Sequence, residues 1–349
     1  MTDASQPPAD VTLIVVNHDG EESLRPCVES LMNTPGLRLD LVLVDNASKD
    51  ESPRILEEIE RAHPNINVVR HAQNLGYAAA VNSVLPICRG RYVGVLNMDV
   101  LAEPGWLSPL VAFLDENPGT GGVNPLITLL DGQVINAAGQ DIHITGLGFN
   151  HALGRTRSSV GRDPFPVSGL QGATFLIRRT LLEQMQGMDA TGFLYHEDVN
   201  LSWLLQLMGQ DLYCVPEAVV RHDYFLSMHA EKLYLLERNR LAMLACYLDG
   251  RTRVRLSPVL LLTEILLWSY ALLRGPSFLR AKARSYGWVR KIGIQVAERR
   301  ALAGRLRVRT DAEVLSRMKR GYAWRQFLSL ARERDGPRKP LPPNPSARG

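Results

Sequence analysis

Polar side chains follow three strand-like segments of the chain at the points where those segments end. They are Asn17 and His18, Asp45 and Asn46, and Asn97 and Asp99. Since ligands of parallel sheets bind beyond the carboxyl ends of the strands, we expect these side chains to share one polar site. The alternative is ordinary turn chemistry, because Asn and Asp favour turns and helix N-termini without any function.

Asp99 and His222 are the candidate metal ligands. Asp99 closes the segment VGVLNMD, and its carboxylate, next to the amide of Asn97, suits a hard cation such as Mg²⁺ or Mn²⁺. Such an ion would neutralise a leaving diphosphate. The competing interpretation is that Asp99 caps the turn before Pro104, and that His222 is an ordinary hydrogen-bonded residue at a strand end.

Glu197 and Asp198 directly precede an amphipathic helix-like segment. Adjacent carboxylates repel each other, so at least one needs a positive partner or a raised pKa. A helix N-terminus also favours the ionised form. The pair is therefore either a general base for a hydroxyl group or a favourable first turn with no chemical role.

The elements that must position these residues alternate along the first part of the chain. Near-continuous apolar strands alternate with helices, which predicts an α/β fold with a mostly parallel sheet covered on both faces. A glycine-rich stretch, residues 126–170, is expected to form a hairpin or a mobile lid loop. The expected strands are residues 11–17, 39–46, 66–70, 91–99 and 172–179, with a pair in 212–222 broken at Pro216, and the expected helices are a segment ending near Asn33, residues 52–62, 77–88, one starting at Pro104, 198–208 and 230–247.

Composition excludes several classes of protein. The chain has 349 residues, of which 45% are hydrophobic, so it is neither disordered, collagen-like nor a small disulfide scaffold. Its four scattered cysteines predict buried free thiols rather than a zinc site or disulfides. The absence of G-x-G-x-x-G after the first strand and of G-x-x-x-x-G-K-[ST] disfavours dinucleotide oxidoreductases and P-loop ATPases.

The formal net charge of +4 conceals two parts of opposite sign. Residues 1–250 carry 17 Lys+Arg and 30 Asp+Glu, whereas residues 251–349 carry 23 Lys+Arg and 6 Asp+Glu. The basic part is expected to be helical. Residues 256–273 approach the length of a membrane span, but Glu264 in their middle argues against one. The sequence MTDASQPPAD has neither a basic nor an apolar region, so no secretory signal is expected.

Two interpretations of the basic part stay open. Its helices could pack on the preceding domain with their arginines in solvent. Alternatively, Trp268 and neighbouring leucines enter a membrane interface while basic side chains meet anionic headgroups. Those basic residues are Arg274, Arg280, Lys282, Arg284, Arg290 and Lys291.

An ordered set of motifs between residues 11 and 245 resembles family 2 glycosyltransferases of the GT-A fold. Within that family, the set looks most like a bacterial branch of rhamnosyltransferases. Each motif alone is unspecific, but their order is highly specific. The motifs are VVNHDG, LVDNASKDES, NLGYAAAVN, VLNMDV, SGLQGATFLIRR, FLYHEDVNLSWLLQLMGQDLYCVPEAVVRH and LLERNRL.

The resemblance implies a role for each matched position. Asp45 would read the nucleotide base, and Asn17, Asn74 and Gly76 would line the donor site. Asp99, preceded by Asn97, would bind a divalent cation, and His222 would complete the metal and diphosphate site. Asp198 would be the catalytic base with Glu197 as its supporting neighbour, and the backbone of Gly172 and Ala173 would pass close to the sugar. Asn200 departs from the family pattern, because it replaces a second acid.

The implied activity is inverting transfer of a sugar from a UDP- or dTDP-linked donor to a saccharide or lipid-linked hydroxyl in cell-surface polysaccharide synthesis. The best candidate donor is dTDP-rhamnose, with Mg²⁺ or Mn²⁺ as cofactor. The expected location is the cytoplasmic face of the inner membrane, beside anionic lipid. The expected organisation is a disordered N-terminus (1–10), a GT-A domain (11–250), a basic helical extension (251–334) and a disordered tail (335–349).

Two alternatives belong to other functional classes. A sugar nucleotidyltransferase would also use a Rossmann-like domain and a metal carboxylate, but the turn after Asn17 offers Gly20 and no basic residue to grip phosphate. A nucleic-acid-binding protein could act through the basic C-terminal part. No interleaved aromatic motif accompanies that charge, so no nucleic acid is expected.

Overall fold

The structure is a computed structural model that describes residues 9–32, 34, 36–224 and 227–332. The disordered ends expected at residues 1–10 and 335–349 therefore lie outside the described residues, apart from Ala9 and Asp10. Within the described part, the chain alternates strands and helices up to about residue 120, then adds short strands, and ends in helices.

The described residues form twelve strands and twelve α-helices. The strands are β1 (Val11–Asn17), β2 (Leu39–Asp45), β3 (Asn67–Arg70), β4 (Tyr92–Asn97), β5 (Val100–Ala102), β6 (Thr120–Thr128), β7 (Ile135–Ala137), β8 (Gln140–Ile142), β9 (Gly148–Asn150), β10 (Phe165–Pro166), β11 (Thr174–Arg178) and β12 (Asp211–His222). The helices are α1 (Leu24–Met32), α2 (Ser52–Ala62), α3 (Tyr77–Val84), α4 (Leu107–Glu116), α5 (Arg179–Gln184), α6 (Glu197–Leu207), α7 (Ala230–Tyr247), α8 (Gly250–Arg274), α9 (Pro276–Lys291), α10 (Gly293–Leu306), α11 (Asp311–Ser316) and α12 (Trp324–Arg332).

The first half of the sheet is parallel, as the alternation of strands and helices predicts. Its strands run in the order β4-β1-β2-β3, and every residue of β1 is buried. The register pairs Asn17 with Asp45, so the carboxyl ends of β1 and β2 are level. This arrangement puts the polar residues after these strands at one edge of the sheet.

The second half makes the sheet mixed rather than mostly parallel. β11 is antiparallel to both β4 and β6, and β12 is parallel to β6. The expected strand pair in 212–222 is wrong, because β12 is one strand of 12 residues that accommodates Pro216 in a register irregularity between Val215 and Val219. The helix expected at Pro104 begins instead at Leu107, after a turn. The α/β fold class itself is confirmed.

The glycine-rich stretch is folded. Residues 126–170 contribute β7, β8, β9 and β10, and β8 and β9 form the expected hairpin as a separate two-stranded sheet. Backbone hydrogen bonds in both directions join Gln140 to Gly169, at 2.8 and 3.1 Å. These bonds fix the hairpin against the segment that precedes β11.

Of the C-terminal helices, α9 and α10 pack on α7, α8 packs on α9, and α11 packs on α6. Thr263, Leu267 and Ala271 form the buried face of α8. By length and composition alone, α8 is long enough and apolar enough to cross a membrane. Glu264, however, accepts hydrogen bonds from Arg240 of α7 at 2.6 Å and lies 2.7 Å from the ammonium of Lys282. Burial of Lys282 contradicts the expectation that it meets lipid headgroups.

The four cysteines are free and buried, as their spacing predicts.

Candidate active site

A cleft of about 600 Å³ opens at the carboxyl ends of the parallel strands. Its walls come from the strand ends, the segment before β11, the β8–β9 hairpin and the N-termini of α3, α6 and α7. Residues that sequence analysis placed in one site are thereby brought together. They are Asn74, Gly76, Asn97, Asp99, Gly172, Ala173, Glu197, Asp198 and His222.

The side chains of Asp99 and His222 lie next to each other in the cleft. The Nε2 atom of His222, the last residue of β12, lies 3.3 Å from Oδ1 of Asp99, which directly precedes the antiparallel neighbour β5. Asp99 Oδ1 is buried and has no hydrogen-bond partner among the described residues. The side-chain oxygen of Asn136 lies 3.0 Å from Nδ1 of His222. With Nδ1 donating its proton to Asn136, Nε2 keeps its lone pair towards Asp99.

This pair suits a divalent cation. Neighbouring ligands of an octahedral ion with bonds of about 2.1 Å are separated by about 3 Å, close to the observed spacing of Asp99 and His222. Within residues 9–32, 34, 36–224 and 227–332, no group of three or more His, Cys, Asp or Glu side chains is gathered to hold a metal. A cation held by two protein ligands leaves its other positions for water and phosphate oxygens.

Asp198 also lines the cleft, in the first turn of α6. Its Oδ2 atom accepts hydrogen bonds from Gln140 Nε2 at 2.7 Å and from the Gly172 amide at 3.0 Å. Its Oδ1 accepts from the amide of Val199 at 2.8 Å. A Cβ atom at Gly172 would come within 3.0 Å of Asp198 Oδ2, so glycine permits this close approach.

Burial raises the pKa of Asp198, although the three hydrogen bonds that it accepts oppose the rise. The neighbouring Glu197 accepts no hydrogen bond on its side chain from any residue the structure describes. Burial, followed by repulsion from Asp198, raises the pKa of Glu197 to about 8. The two carboxylates therefore differ, because among the described residues only Asp198 accepts side-chain hydrogen bonds from other residues, and these favour its ionised form.

A network of asparagines shapes the wall near β2. Asn46 Nδ2 donates to Asn74 Oδ1 at 3.0 Å, and the same oxygen accepts from the Gly76 amide at 2.8 Å. Gly76 has a φ of 84°, and a Cβ atom there would lie 2.3 Å from the carbonyl oxygen of Phe193. Only glycine fits this turn, which leads directly into α3.

Asn17 and Asp45 lie behind the cleft wall rather than on it. Asn17 is buried and its Nδ2 donates to Ser48 Oγ at 3.0 Å. Asp45 Oδ1 accepts from the Ser48 amide at 3.2 Å. Their chain neighbours His18 and Asn46 line the cleft instead. Direct contact of Asn17 and Asp45 with a nucleoside stays a prediction.

Sequence reasoning missed three side chains that support the site: Asn46, Asn136 and Gln140. The turn position of Asn46 after β2 was noted, but its link to Asn74 was not. Asn136 and Gln140 lie in the glycine-rich stretch, 86 and 58 residues from their partners His222 and Asp198. No motif in that stretch signals such contacts.

Comparison with known proteins decides the family. The sequence profile of glycosyl transferase family 2 matches residues 12–185, which include the parallel half of the sheet, Asp99 and Gly172. The chain belongs to glycosyl transferase family 2. The resemblance inferred from the ordered motifs is thus confirmed at the level of the family.

Curated relatives in Mycobacterium tuberculosis align with the same region. The chain is 28% identical over 233 residues to an N-acetylglucosaminyl-diphospho-decaprenol L-rhamnosyltransferase, covering 60% of this chain and 75% of that protein. It is 31% identical over 219 residues to a pre-mycofactocin glycosyltransferase, covering 62% of this chain. The chain spans only 43% of the length of that second relative.

Solved structures share the GT-A fold with this family 2 chain. A mannosyltransferase from Pyrobaculum calidifontis in complex with GDP-Man and Mn²⁺ has a TM-score of 0.53 at 16% identity, covering 93% of this chain and 86% of that one. GalNAc-T7 with UDP, GalNAc and Mn²⁺ has a TM-score of 0.56 at 17% identity, covering 69% of this chain and 49% of that one. At these identities, the likeness establishes the fold alone.

Proposed function

We propose that this chain transfers rhamnose from dTDP-rhamnose to a hydroxyl of a saccharide or lipid-linked acceptor, with inversion at the anomeric carbon. The observation that carries the proposal is the presence of two chemically distinct centres in one cleft. Asp99 and His222 suit a cation, and the hydrogen-bonded Asp198 suits a general base. The rhamnosyltransferase relative supports the choice of sugar.

The donor would lie across the strand ends with its diphosphate near Asp99 and His222. When bound, Mg²⁺ or Mn²⁺ neutralises the charge that develops on the departing diphosphate. Asp99 and His222 would hold that cation, and Asn136, hydrogen-bonded to Nδ1, would orient Nε2 of His222 towards it. The Mn²⁺ in the two GT-A structures supports a divalent cation.

Asp198 would take the proton of the acceptor hydroxyl as that oxygen bonds to the anomeric carbon. In the same displacement, the bond from that carbon to the diphosphate oxygen breaks, and its electron pair leaves with the diphosphate. Oδ1 of Asp198 accepts one hydrogen bond, from Val199, and so keeps more capacity for the proton than Oδ2, which accepts two. One displacement with one base implies inversion.

A donor panel tests this function. Purified protein with Mg²⁺ or Mn²⁺ is assayed with dTDP-rhamnose, UDP-GlcNAc, UDP-galactose and GDP-mannose, using polyprenyl-diphosphate-linked and free saccharide acceptors. We expect transfer from dTDP-rhamnose to exceed the others at least tenfold, with the opposite anomeric configuration in the product. Preference for a UDP- or GDP-sugar would overturn the choice of donor, and retained configuration would overturn the mechanism.

The matched variants Asp99→Asn and Asp163→Asn separate the metal site from general charge effects. Asp163 is an exposed residue outside the cleft. We expect Asp99→Asn to lose cation-dependent turnover about 10²-fold or more, a magnitude typical of removing one stabilising charge contact from a reacting site. Asp163→Asn should match the unaltered protein. Equal activity of both variants would contradict a metal role for Asp99.

We further propose that the enzyme works at an anionic membrane surface on the cytoplasmic side. Apolar residues recur on one face of α8 at intervals of three, four and seven residues and stay exposed: Val254 (75%), Leu261 (62%), Ile265 (54%), Trp268 (36%) and Leu272 (67%). At 1.5 Å per residue this stripe is about 27 Å long. Arg251, Arg253 and Arg255 stand at its N-terminal end.

Three observations support a helix that lies on a bilayer. The apolar stripe is exposed, the opposite face of α8 is packed, and the C-terminal part has an excess of arginine. Flotation with phosphatidylglycerol vesicles, against phosphatidylcholine vesicles, tests it. We expect the double variant Leu261→Glu, Ile265→Glu to lose binding at least tenfold. The control Ile87→Glu, at a 47% exposed residue outside α8, should bind normally.

Two outcomes contradict the membrane proposal. One is equal binding of the protein and its double variant. The other is a change in oligomeric state of the double variant without loss of vesicle binding, which would make the stripe a contact between copies.

A further inference from the structure

Gln140 is the only side chain outside α6 that donates a hydrogen bond to the Asp198 carboxylate among the described residues; the other donor from outside that helix is a backbone amide. Its Nε2 atom lies 2.7 Å from Oδ2 of Asp198. Gln140 is 7% exposed and belongs to β8, far from α6 in sequence. The contact therefore depends on the β8–β9 hairpin, which sequence analysis could only describe as a hairpin or lid.

The hairpin holds Gln140 rigidly. The backbone of Gln140 exchanges two hydrogen bonds with Gly169, and its carbonyl oxygen also accepts from Ser168 Oγ at 3.0 Å. Gly169 lies close to Ile142 of β8, since a Cβ atom at Gly169 would be 2.6 Å from Ile142 Cδ1. With the backbone fixed in this way, the side-chain amide is held in place towards Asp198.

A second buried glutamine shows what is special about Gln140. Gln206 of α6 is 1% exposed, and its Nε2 donates to the carbonyl oxygen of Ser168. In both glutamines Oε1 is buried without a partner among the described residues. The two amides thus share burial and donor geometry, but Gln206 serves a neutral backbone group and Gln140 serves a carboxylate.

We propose that Gln140 is a positioning residue for the catalytic base: its amide fixes the rotamer of Asp198 and keeps that carboxylate ionised, so the β8–β9 hairpin couples acceptor-side structure to proton removal. The inference rests on the proposed role of Asp198. Hydrogen bonds to an ionised carboxylate favour the charged form, and charge-assisted bonds are the strong ones. Loss of the Gln140 amide leaves Oδ2 with the Gly172 amide alone.

Other ionisable groups also line the cleft around Asp198. Glu197 lies beside it on α6, and Tyr77 of α3 carries a pKa raised well above its usual value by burial and by Glu197, Asp99 and Asp198. Lys232 of α7 also lines the cleft. None of these groups changes when Gln140 is replaced, so a shift in the base can be assigned to the lost amide.

The test is the pH dependence of kcat/KM for Gln140→Met, with Gln206→Met as the matched control and Gln140→Asn as a second variant. Methionine keeps the length of glutamine without a donor, and asparagine is too short to reach Asp198. We expect the acid limb of the profile to move up by about 1–2 pH units in both Gln140 variants, the equivalent of one charge-assisted hydrogen bond. Activity should recover towards alkaline pH, donor affinity should stay within about twofold, and Gln206→Met should keep the original profile.

Asp198→Asn is measured in parallel to separate the two proposals. If Asp198→Asn is inactive and both Gln140 variants keep the original pH profile, the role of Gln140 is overturned while the base assignment stands. If Asp198→Asn turns over normally, the proposed base itself is wrong. Loss of kcat in the Gln140 variants that is uniform at every pH would also overturn the inference, since it would indicate damage to the fold of the hairpin.

Discussion

Two pairs of carboxylates that are buried or partly buried have opposite surroundings. The cleft pair is Glu197 and Asp198, and no cation is bonded to either side chain among the described residues. The helix cluster is Glu237 and Glu264 with Arg240 and Lys282, where α7, α8 and α9 meet. Arg240 lies 2.7 Å from Glu237 and 2.6 Å from Glu264, and Lys282 lies 2.5 Å from Glu237.

These surroundings shift the pKa values of the two pairs in opposite directions. Although burial alone would raise the pKa of Glu237, the adjacent Arg240 and Lys282 lower it to about 2. In the cleft pair, burial and mutual repulsion raise the pKa of Glu197 to about 8. Residues of the same type thus differ in their surroundings: the helix cluster joins helices through ion pairs, and we propose that the cleft pair supplies the group that accepts a proton.

Breaking the helix cluster should have the largest effect on stability. Lys282→Met leaves Glu237 and Glu264 with one cation between them, and losing one partner of a buried ion pair costs about 3–5 kcal/mol. Urea unfolding at pH 7 measures this, with Lys282→Arg as the charge-preserving control. The exposed pair of Arg54 and Glu58 gives the reference, because solvent screens exposed ion pairs and Arg54→Met should cost much less than Lys282→Met. Equal losses at the two sites would contradict the comparison.

The next effect concerns the second partner of His222. Replacing Asn136 by Leu removes the acceptor that fixes the protonation of the ring, and such support contributes about 10–100-fold in metal affinity. Calorimetric titration with Mn²⁺ in the presence of dTDP measures the loss. Asn150→Leu on β9 is the control, since Asn150 lines the cleft but is not hydrogen-bonded to His222. Unchanged affinity in Asn136→Leu would remove the argument that Nε2 faces a cation.

The smallest expected effect tests the direction of the pKa shift in the cleft pair. A carboxyl whose pKa is raised on folding stabilises the protein below its unfolded value, near 4.5, and that contribution is lost as pH rises through about 8. Glu197→Gln removes this loss, so we expect the variant to be more stable than the unaltered protein by on the order of 1 kcal/mol at pH 9. Near pH 4 the two should match. A variant that is less stable at pH 9 would show that the Glu197 carboxylate is stabilised by its surroundings.

How much of this fold can be predicted from the sequence depends on how far apart along the chain the contacting residues lie. Local apolar runs predict the parallel strands, and the strand order places Asp99 at the edge of the sheet where these strands have their carboxyl ends. The continuous β12 was not predicted, because a bulge absorbs Pro216 within strand pairing that spacing cannot reveal. Glu264 was expected to oppose a membrane span, which stays a prediction; its partner Arg240 lies on another helix and was not foreseen.

The site shows the same limit. Gln140 reaches Asp198 through folding of a segment without motifs, so only the structure joins them. Conversely, Asn17 and Asp45 were assigned by resemblance, and the structure places their side chains on Ser48 behind the wall of the cleft. Motifs identify which residues matter near the strand ends, but not which of two adjacent side chains faces the ligand.

The most direct test of the account is Asp198→Asn, assayed for both donor binding and transfer. Asparagine keeps the size of the side chain and removes the proton acceptor. We predict that the affinity for dTDP-rhamnose with Mn²⁺ stays within about threefold while kcat falls by 10²–10⁴-fold, the range of general base catalysis. Turnover within tenfold of the unaltered protein would contradict the assignment of Asp198 as the base, and with it the claim that the cleft pair is kept without a cation for proton transfer.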